Sequence, residues 1–271
     1  SCFYQGDFMR IIIQRFFLFI IFWGVCLGLH ASEGPQVKTL KGLKPNRILF
    51  VGNSYLYYND SLHNHVKRMF VEKFPDSAKK ISYKSSTIGG SRLAHHNFDH
   101  LLDAKNIGVS KNFELVILQG GSTEPLTRKS RQQFQEQARI AIEKVRKSGG
   151  EAALYMTHAY VKPHKKVKSG MIEDIKGAYL KAGNDNNTLV IPVGLAFEKA
   201  YQLRPDIELH KSFDGTHPSL LGTYLAASVV FASIFRTSPI GLEYNYFDKI
   251  SDKDRDFLQR VATVTVAEFF Q

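Results

Sequence analysis

The 271-residue chain is 44% hydrophobic and 23% charged, an ordinary composition for a globular protein that excludes a disordered chain. A formal net charge of +11 suggests three kinds of partner: nucleic acid, a membrane surface or an acidic polysaccharide. Because the sequence contains no nucleic-acid-binding motif, we expect no nucleic-acid partner, and a solvated basic face is the favoured interpretation.

Residues 1–31 have the pattern of a secretory signal peptide with a few residues upstream of its start. A positive region begins at Met9-Arg10, and a nearly unbroken apolar run extends over Phe16–Leu29. That run is too short to span a bilayer comfortably, which takes about 20 residues. The pattern therefore predicts cleavage after Ala31, a secreted or periplasmic protein, and no stable membrane insertion after cleavage. An uncleaved amino-terminal anchor is the alternative.

Both cysteines, Cys2 and Cys26, lie in the segment predicted to be removed. The Trp23-Gly24-Val25 sequence before Cys26 is a poor lipidation signal. The mature chain is therefore expected to contain neither a thiol nor a disulfide. The roughly 240 residues that remain can bury enough core to fold without cross-links.

Residues 32–46 form a polar lead-in, and its Ser32–Pro45 part is predicted to be a mobile tether. After it, the hydrophobic patterns alternate between strand and helix. The predicted strands are Ile48–Val51, Ile81–Thr87, Glu114–Leu118, Ala152–Met156 and Thr188–Val193. The predicted helices are Ser61–Phe74, Asn97–Ala104, Lys129–Ser148, Met171–Ala182, Leu195–Leu203, a buried helix opened by Pro218 and reaching Ile234, and Asp252–Phe269. This alternation predicts one α/β domain over residues 47–271, with a parallel sheet of about five strands and helices on both faces.

Small or polar residues follow four of the predicted strands. They are Gly52-Asn53-Ser54, Gly89-Gly90, Gln119-Gly120-Gly121 and Thr157-His158. In parallel sheets, ligands bind beyond the carboxyl ends of the strands. These four segments are therefore expected to meet at one crevice.

Ser54 is the candidate nucleophile of that crevice. A serine hydroxyl attacks poorly unless a base takes its proton, and that base is usually an imidazole oriented by an acceptor at its other nitrogen. Asp214 and His217 lie three residues apart in a loop containing Gly and Pro, and they supply both roles. The backbone N–H groups of Ser54 and Gly90 and the amide of Gln119 are candidate donors to an oxyanion.

Together these blocks resemble the SGNH (GDSL-like) hydrolase superfamily. Gly52-Asn53-Ser54 follows the first strand, Gly90 follows the second, a glycine-rich polar turn follows the third, and Asp214-x-x-His217 precedes the last helices. The resemblance covers Arg47–Phe235. It implies a flavodoxin-like three-layer α/β/α sandwich that forms a single catalytic domain, with no metal or organic cofactor.

The resemblance implies Ser54 as nucleophile, His217 as base and Asp214 as its orienter, with an oxyanion hole that includes Gly90. Two features depart from the usual pattern. One is Asn53, which replaces a commoner aspartate. The other is the third block, where Leu118-Gln119-Gly120-Gly121-Ser122 lacks Gly-x-Asn-Asp and is similar to the Gln-Gly form of some carbohydrate acetylesterases. That similarity assigns the amide donor to Gln119 of this block, with Ser122 as the alternative.

The function that the resemblance implies is a secreted serine ester hydrolase. It would form an acyl-enzyme on Ser54 with a small-molecule or carbohydrate ester, and O-acetyl groups on a carbohydrate are the leading expectation. A lipase or thioesterase with the same triad is the alternative among enzymes. A catalytically silent carbohydrate-binding relative is the alternative outside them.

Three further groups of residues have two interpretations each. His95, His96 and His100 suggest a metal site, but no carboxylate or cysteine cluster accompanies them, so a surface role is favoured. The segment Val161–Ser169 carries four lysines and a histidine, which indicates a solvated loop or contact with an anionic or sugar substrate. The tyrosines within residues 55–58 either line a sugar platform or pack in the core.

Overall fold

The fold is described from a computed structural model, over residues 34–42 and 44–271. The predicted signal peptide lies outside the described residues. Within them, five strands form one sheet: β1 (Arg47–Gly52), β2 (Ser82–Thr87), β3 (Leu115–Leu118), β4 (Glu151–Tyr155) and β5 (Leu189–Ile191). All neighbouring strands are parallel, in the order β2-β1-β3-β4-β5. This is the flavodoxin-like order, and it confirms the predicted fold class.

Helices connect the strands and follow the last of them. Those of the described residues are α1 (Ser54–Tyr57), α2 (Leu62–Lys73), α3 (Phe98–Leu101), α4 (Arg128–Lys147), α5 (Met171–Asp185), α6 (Val193–Leu203), α7 (Leu220–Phe235) and α8 (Asp252–Phe269). The helix predicted over residues 97–104 is shorter than expected. It ends at Leu101, and a separate 3₁₀ turn begins at Ala104, because the Asp103 carboxylate accepts the Lys105 N–H and caps the second turn.

Alternating side chains of the sheet create two hydrophobic layers. Ile48 and Phe50 of β1 pack with α2, α6, α7 and α8 on one face. Leu49 and Val51 point the other way and pack with α4 and α5. All four side chains are fully buried, as expected for a parallel strand covered by helices on both faces. The result is a three-layer sandwich. In it, β1 pairs with β2 on one side and with β3 on the other, and helices cover both of its faces.

Helix α7 is buried on almost every side, as its apolar sequence predicts. Its start differs from the prediction. Pro218 pairs with His210 in an isolated antiparallel bridge and precedes the helix. Ser219 is the N-cap, because its hydroxyl accepts the Gly222 N–H at 3.1 Å and so satisfies one of the free donors of the first turn. The His217–Pro218 segment is thereby anchored to a rigid helix.

The described part of the lead-in is bound to the domain. Gln36 N–H donates to the Asn184 side chain at 2.9 Å, and the N–H groups of Lys41 and Gly42 donate to the Glu151 carboxylate. Leu40 is buried in the core. Residues 34–42 are therefore fixed at the amino-terminal edge of the sheet, and the tether prediction was wrong for them.

Among residues 34–42 and 44–271, none of the helices combines the length and the apolar character needed to cross a bilayer.

Candidate active site

The chain turns sharply after β1 and presents Ser54 at the carboxyl edge of the sheet. Asn53 is in an extended conformation (φ −129°, ψ −153°), and its side-chain oxygen accepts the Tyr55 N–H at 3.1 Å. This Asx cap starts the short helix α1 at Ser54. Within the described residues the Ser54 N–H has no intramolecular acceptor, as expected for the first residue of a helix, so it is free to bind a ligand.

Ser54, His217 and Asp214 form a continuous hydrogen-bonded chain. Ser54 Oγ lies 2.8 Å from His217 Nε2, and His217 Nδ1 lies 2.7 Å from the Asp214 carboxylate. Because the carboxylate accepts the proton on Nδ1, Nε2 is left to accept the serine proton. The structure therefore brings together the three residues that the sequence selected as nucleophile, base and orienter.

The Asp214 carboxylate is held in its ionised form. Its other oxygen accepts the backbone N–H groups of Thr216 at 2.9 Å and His217 at 3.0 Å. Partial burial raises the pKa of Asp214, but these N–H donors and the bond with His217 outweigh burial and place the pKa below its ordinary value. The acceptor that orients His217 thus stays charged at neutral pH.

Gly215 gives the Asp214–His217 turn its shape. It has φ +64°, and a Cβ there would overlap the carbonyl of Val161, whose N–H donates to the Gly215 carbonyl at 2.9 Å. On the other side, Lys211 N–H donates to the His217 carbonyl at 2.8 Å. The turn is therefore fixed by close backbone contact with the loop after β4.

His158 supports the same turn from beneath, a role that the sequence did not reveal. Its ring is stacked between Tyr55 at 4.2 Å and Phe197 at 4.4 Å, and its Nε2–H donates to the Thr216 carbonyl at 2.7 Å. The Tyr55 hydroxyl lies 2.6 Å from the Thr216 hydroxyl. A polar residue directly after a buried strand was the signal available, but which loop it contacts depends on the tertiary fold.

Asn59 joins the nucleophile side of the crevice to the base side. It has φ +56°, which asparagine tolerates better than most residues. Its amide donates to the Pro218 carbonyl at 3.0 Å and lies 2.7 Å from the Thr223 hydroxyl. The segment after α1 is thereby bound to the start of α7, which fixes the separation of Ser54 and His217. No sequence pattern pointed to this contact.

The loop after β2 is attached to the nucleophile turn and carries Gly90. The Gly52 carbonyl accepts Ile88 N–H at 3.1 Å and the Ser91 hydroxyl at 3.0 Å, and the Asn53 amide donates to the Ser91 carbonyl at 3.0 Å. An aspartate at position 53 could not donate this last bond, which gives a physical reason for the asparagine. Gly90 (φ +67°) is exposed in this loop, and its N–H also has no acceptor in the described part of the chain.

The structure does not place Gln119 as the third oxyanion donor. Its side chain is fully buried beneath the turn, and its oxygen accepts Asn53 N–H at 2.9 Å. Since a backbone N–H can only donate, the atom facing Asn53 is the carbonyl oxygen, and the amide nitrogen donates instead to the Gly120 carbonyl. Gln119 therefore supports the nucleophile turn. The alternative, Ser122, is half-buried and accepts the Tyr160 hydroxyl at 2.9 Å.

Gly52 is required by the position of Gln119. A Cβ at residue 52 would overlap the Gln119 side-chain oxygen and the Leu56 methyl group. We expect Gly52→Ala to lower the free energy of unfolding by about 1–3 kcal/mol, the usual cost of overpacking, and to displace the Ser54 turn. Urea unfolding and ester hydrolysis check this. The control is Gly177→Ala in α5, where a Cβ meets nothing within 4 Å. Equal stability of the two variants would contradict the prediction.

Two of the three histidines considered for metal binding have other side-chain contacts. His96 Nε2 lies 3.0 Å from the Ser91 hydroxyl, which itself donates to the Gly52 carbonyl, and His95 Nδ1 accepts Arg92 N–H at 3.2 Å. Within the residues that the structure describes, no three His, Cys, Asp or Glu side chains are grouped as metal ligands. His96 thus contributes to the support of the nucleophile turn.

Buried neutral histidines predict a loss of stability in mild acid. Burial lowers the pKa of His210 to about 4 and holds the pKa of His158 well below its ordinary value. Between about pH 6.5 and 4 the unfolded chain binds protons that the folded chain does not, so the unfolding free energy should fall by up to about 1.4 kcal/mol per pH unit for each histidine. Urea unfolding at pH 7.5, 6 and 5 measures this slope. It should be shallower in His210→Gln, unchanged in the exposed control His100→Gln, and a flat wild-type profile would contradict the prediction.

Comparison with known proteins adds the fold family. No profile of a protein family and no curated protein matches the sequence. Among solved structures, a DUF4886 family protein from Bacteroides uniformis is 17% identical with a TM-score of 0.62, over 82% of this chain and 94% of that one. The acetyl xylan esterase AlAXEase is 18% identical with a TM-score of 0.54, over 69% and 99%. A member of the lipolytic G-D-S-L family from Veillonella parvula is 16% identical with a TM-score of 0.52, over 70% and 99%. With its five-stranded parallel sheet between helical layers, the chain has the α/β fold of the SGNH (GDSL-like) hydrolases.

Proposed function

We propose that this protein is an exported serine ester hydrolase that removes O-acyl groups, chiefly acetyl, from a carbohydrate by way of an acyl-enzyme on Ser54. One observation carries the proposal: the continuous chain from Ser54 Oγ through His217 to the Asp214 carboxylate, with 2.8 and 2.7 Å between successive heavy atoms. This geometry is suited to proton removal from the serine, because the base already contacts the hydroxyl and its tautomer is fixed.

In the first half-reaction, His217 Nε2 takes the Ser54 hydroxyl proton as Oγ bonds to the ester carbonyl carbon. The resulting oxyanion accepts the free N–H groups of Ser54 and Gly90. Loss of one such donor typically costs 10²–10³-fold in kcat. The C–O bond to the sugar then breaks, and His217 Nε2–H gives its proton to the departing sugar oxygen.

In the second half-reaction, a water molecule replaces the sugar. His217 Nε2 takes a proton from the water as its oxygen bonds to the acyl carbon. The bond from that carbon to Ser54 Oγ breaks, the acid leaves, and His217 returns the proton to Oγ. The Asp214 carboxylate stabilises the imidazolium in both halves, and each proton is accounted for within the Ser54–His217 pair.

The carbohydrate assignment is supported by the fold shared with an acetyl xylan esterase and by the predicted export signal. The test is a series of 4-nitrophenyl esters from C2 to C12, followed by acetate release from acetylated xylan. We expect kcat/KM to be highest at C2 and to fall by at least about 10-fold at C8, as for a site closed to long acyl chains. Highest activity at C12 would favour the lipase alternative, and no hydrolysis at any length would favour the silent carbohydrate-binding alternative.

A further inference from the structure

A basic loop follows β4 and is fixed beside the triad. Residues 161–169 contain four lysines and no acidic residue. The first residue of the loop, Val161, donates its N–H to the Gly215 carbonyl at 2.9 Å, and the absence of a Cβ at Gly215 permits this close approach. The loop therefore begins in direct contact with the Asp214–His217 turn, at the same edge of the sheet as Ser54.

Lys211 brings a further cation next to His217. Its ammonium lies 4.9 Å from the centre of the Tyr58 ring, and that ring lies 4.6 Å from the His217 ring. Its backbone N–H donates to the His217 carbonyl at 2.8 Å. One aromatic ring thus separates this positive charge from the proposed base. The Lys211 ammonium is therefore close enough to attract a negatively charged substrate bound at Ser54.

Little negative charge offsets these cations. Lys168 is paired with Asp174. Asp214 is the only acidic residue between positions 209 and 219, and its carboxylate already accepts hydrogen bonds from His217 Nδ1–H and from two backbone N–H groups. In the part of the chain that the structure describes, no carboxylate lies within 4.0 Å of the four remaining lysines, called here the basic rim: Lys162, Lys165, Lys166 and Lys211.

The tyrosines next to Ser54 have different surroundings, and core packing is shown for Tyr55 alone. Tyr55 is 3% exposed and packs on His158. Tyr57 is 42% exposed and stacks on Tyr58, with ring centres 5.3 Å apart and planes 18° apart. An exposed aromatic face beside a cationic rim offers a sugar ring an apolar surface and offers its charged groups a counter-charge.

We infer that the basic rim binds the carboxylates of an acidic polysaccharide, so that the natural substrate is an O-acyl ester on a uronate-type glycan. The inference rests on the proposed function and names its substrate class. Clustered charges of one sign raise the local concentration of an oppositely charged ligand by about 10–10³-fold, and exposed charges are screened beyond about 8 Å at physiological salt. The acidic glycan should therefore be preferred over a neutral one, and salt should weaken the preference.

Binding is tested on oligosaccharides that carry no ester, so the outcome does not depend on turnover. Calorimetry compares oligogalacturonate with xylo-oligosaccharide of equal length in wild type and in Lys165→Gln/Lys166→Gln. The matched control is Lys79→Gln/Lys80→Gln, an exposed lysine pair just before β2 at the opposite edge of the sheet. It removes the same charge far from the crevice.

We expect oligogalacturonate to bind wild type at least about 10-fold more tightly at 50 mM salt, with that advantage lost at 500 mM. The Lys165/Lys166 variant should lose most of the advantage, while the Lys79/Lys80 variant keeps it. The inference would be overturned if the two oligosaccharides bound equally well, or if both variants lost the same share of the preference for oligogalacturonate. Tighter binding to duplex DNA or to anionic lipid vesicles than to oligogalacturonate would overturn it as well. If wild type binds oligogalacturonate but does not hydrolyse 4-nitrophenyl acetate, the proposed function fails and the binding assignment remains.

Discussion

Replacing Ser54 with alanine is expected to lower kcat/KM for 4-nitrophenyl acetate by about 10⁴-fold or more, since removal of a triad nucleophile leaves only the oxyanion donors and substrate binding. The Ser54 hydroxyl contacts His217 in the described structure, and no other residue shares its proton. Its loss therefore removes the covalent route itself. Initial rates over a range of substrate concentrations measure the effect.

The same variant should remain folded. Ser54 is buried and its hydroxyl makes one hydrogen bond, to His217. The free energy of unfolding in urea is therefore expected to fall by about 0.5–1.5 kcal/mol, the usual net contribution of one hydrogen bond. Ser77→Ala, in the turn before β2 at the opposite edge of the sheet, is the matched control for loss of a hydroxyl. A Ser54→Ala protein that keeps more than about one hundredth of wild-type activity would rule out Ser54 as the nucleophile.

Replacing Asp214 with asparagine is expected to lower kcat by about 10³–10⁴-fold with little change in structure. The side-chain oxygen that accepts the Thr216 and His217 N–H groups must remain an oxygen, because both partners are donors. The new amide nitrogen then faces His217 Nδ1. A donor at that position forces the imidazole to carry its proton on Nε2, where it can no longer accept the serine proton.

Steady-state kinetics and thermal unfolding of Asp214→Asn test that prediction together, with the exposed Asp206→Asn as the control for loss of a carboxylate. The expected combination is a large loss of kcat, a folded protein and an unaffected control. A loss of less than about 10-fold would show that the tautomer of His217 does not depend on Asp214.

Several parts of this site are readable in the sequence because they are local. Nearby residues alone determine the geometry of three features: the buried run of β1, the small residues after it, and the three-residue spacing of Asp214 and His217. In that spacing, one carboxylate reaches both the imidazole and its backbone N–H. Alternating strands and helices predict a parallel sheet, but right-handed crossovers allow more than one strand order. The observed order β2-β1-β3-β4-β5 was expected only from the resemblance to the SGNH hydrolases.

Other parts depend on contacts between distant segments. Asn59 has an ordinary turn sequence, and its link to Pro218 exists only because the segment after α1 meets the start of α7. Gln119 follows a buried strand, as an oxyanion donor would, yet its side chain turns inward because the N–H of Asn53 needs an acceptor there. Pattern and composition contain no information about which buried donor an amide will satisfy.

Covalent trapping tests the central claim most directly. The protein is incubated with phenylmethylsulfonyl fluoride, which sulfonylates activated serine nucleophiles, and is then analysed by intact mass and by peptide mapping, beside the Ser54→Ala and Asp214→Asn variants. The account predicts a single adduct on wild type, located on Ser54, that is absent in Ser54→Ala and forms far more slowly in Asp214→Asn. Ester hydrolysis by a wild-type protein that carries no adduct on Ser54, or an adduct on a different residue that abolishes activity, would contradict it.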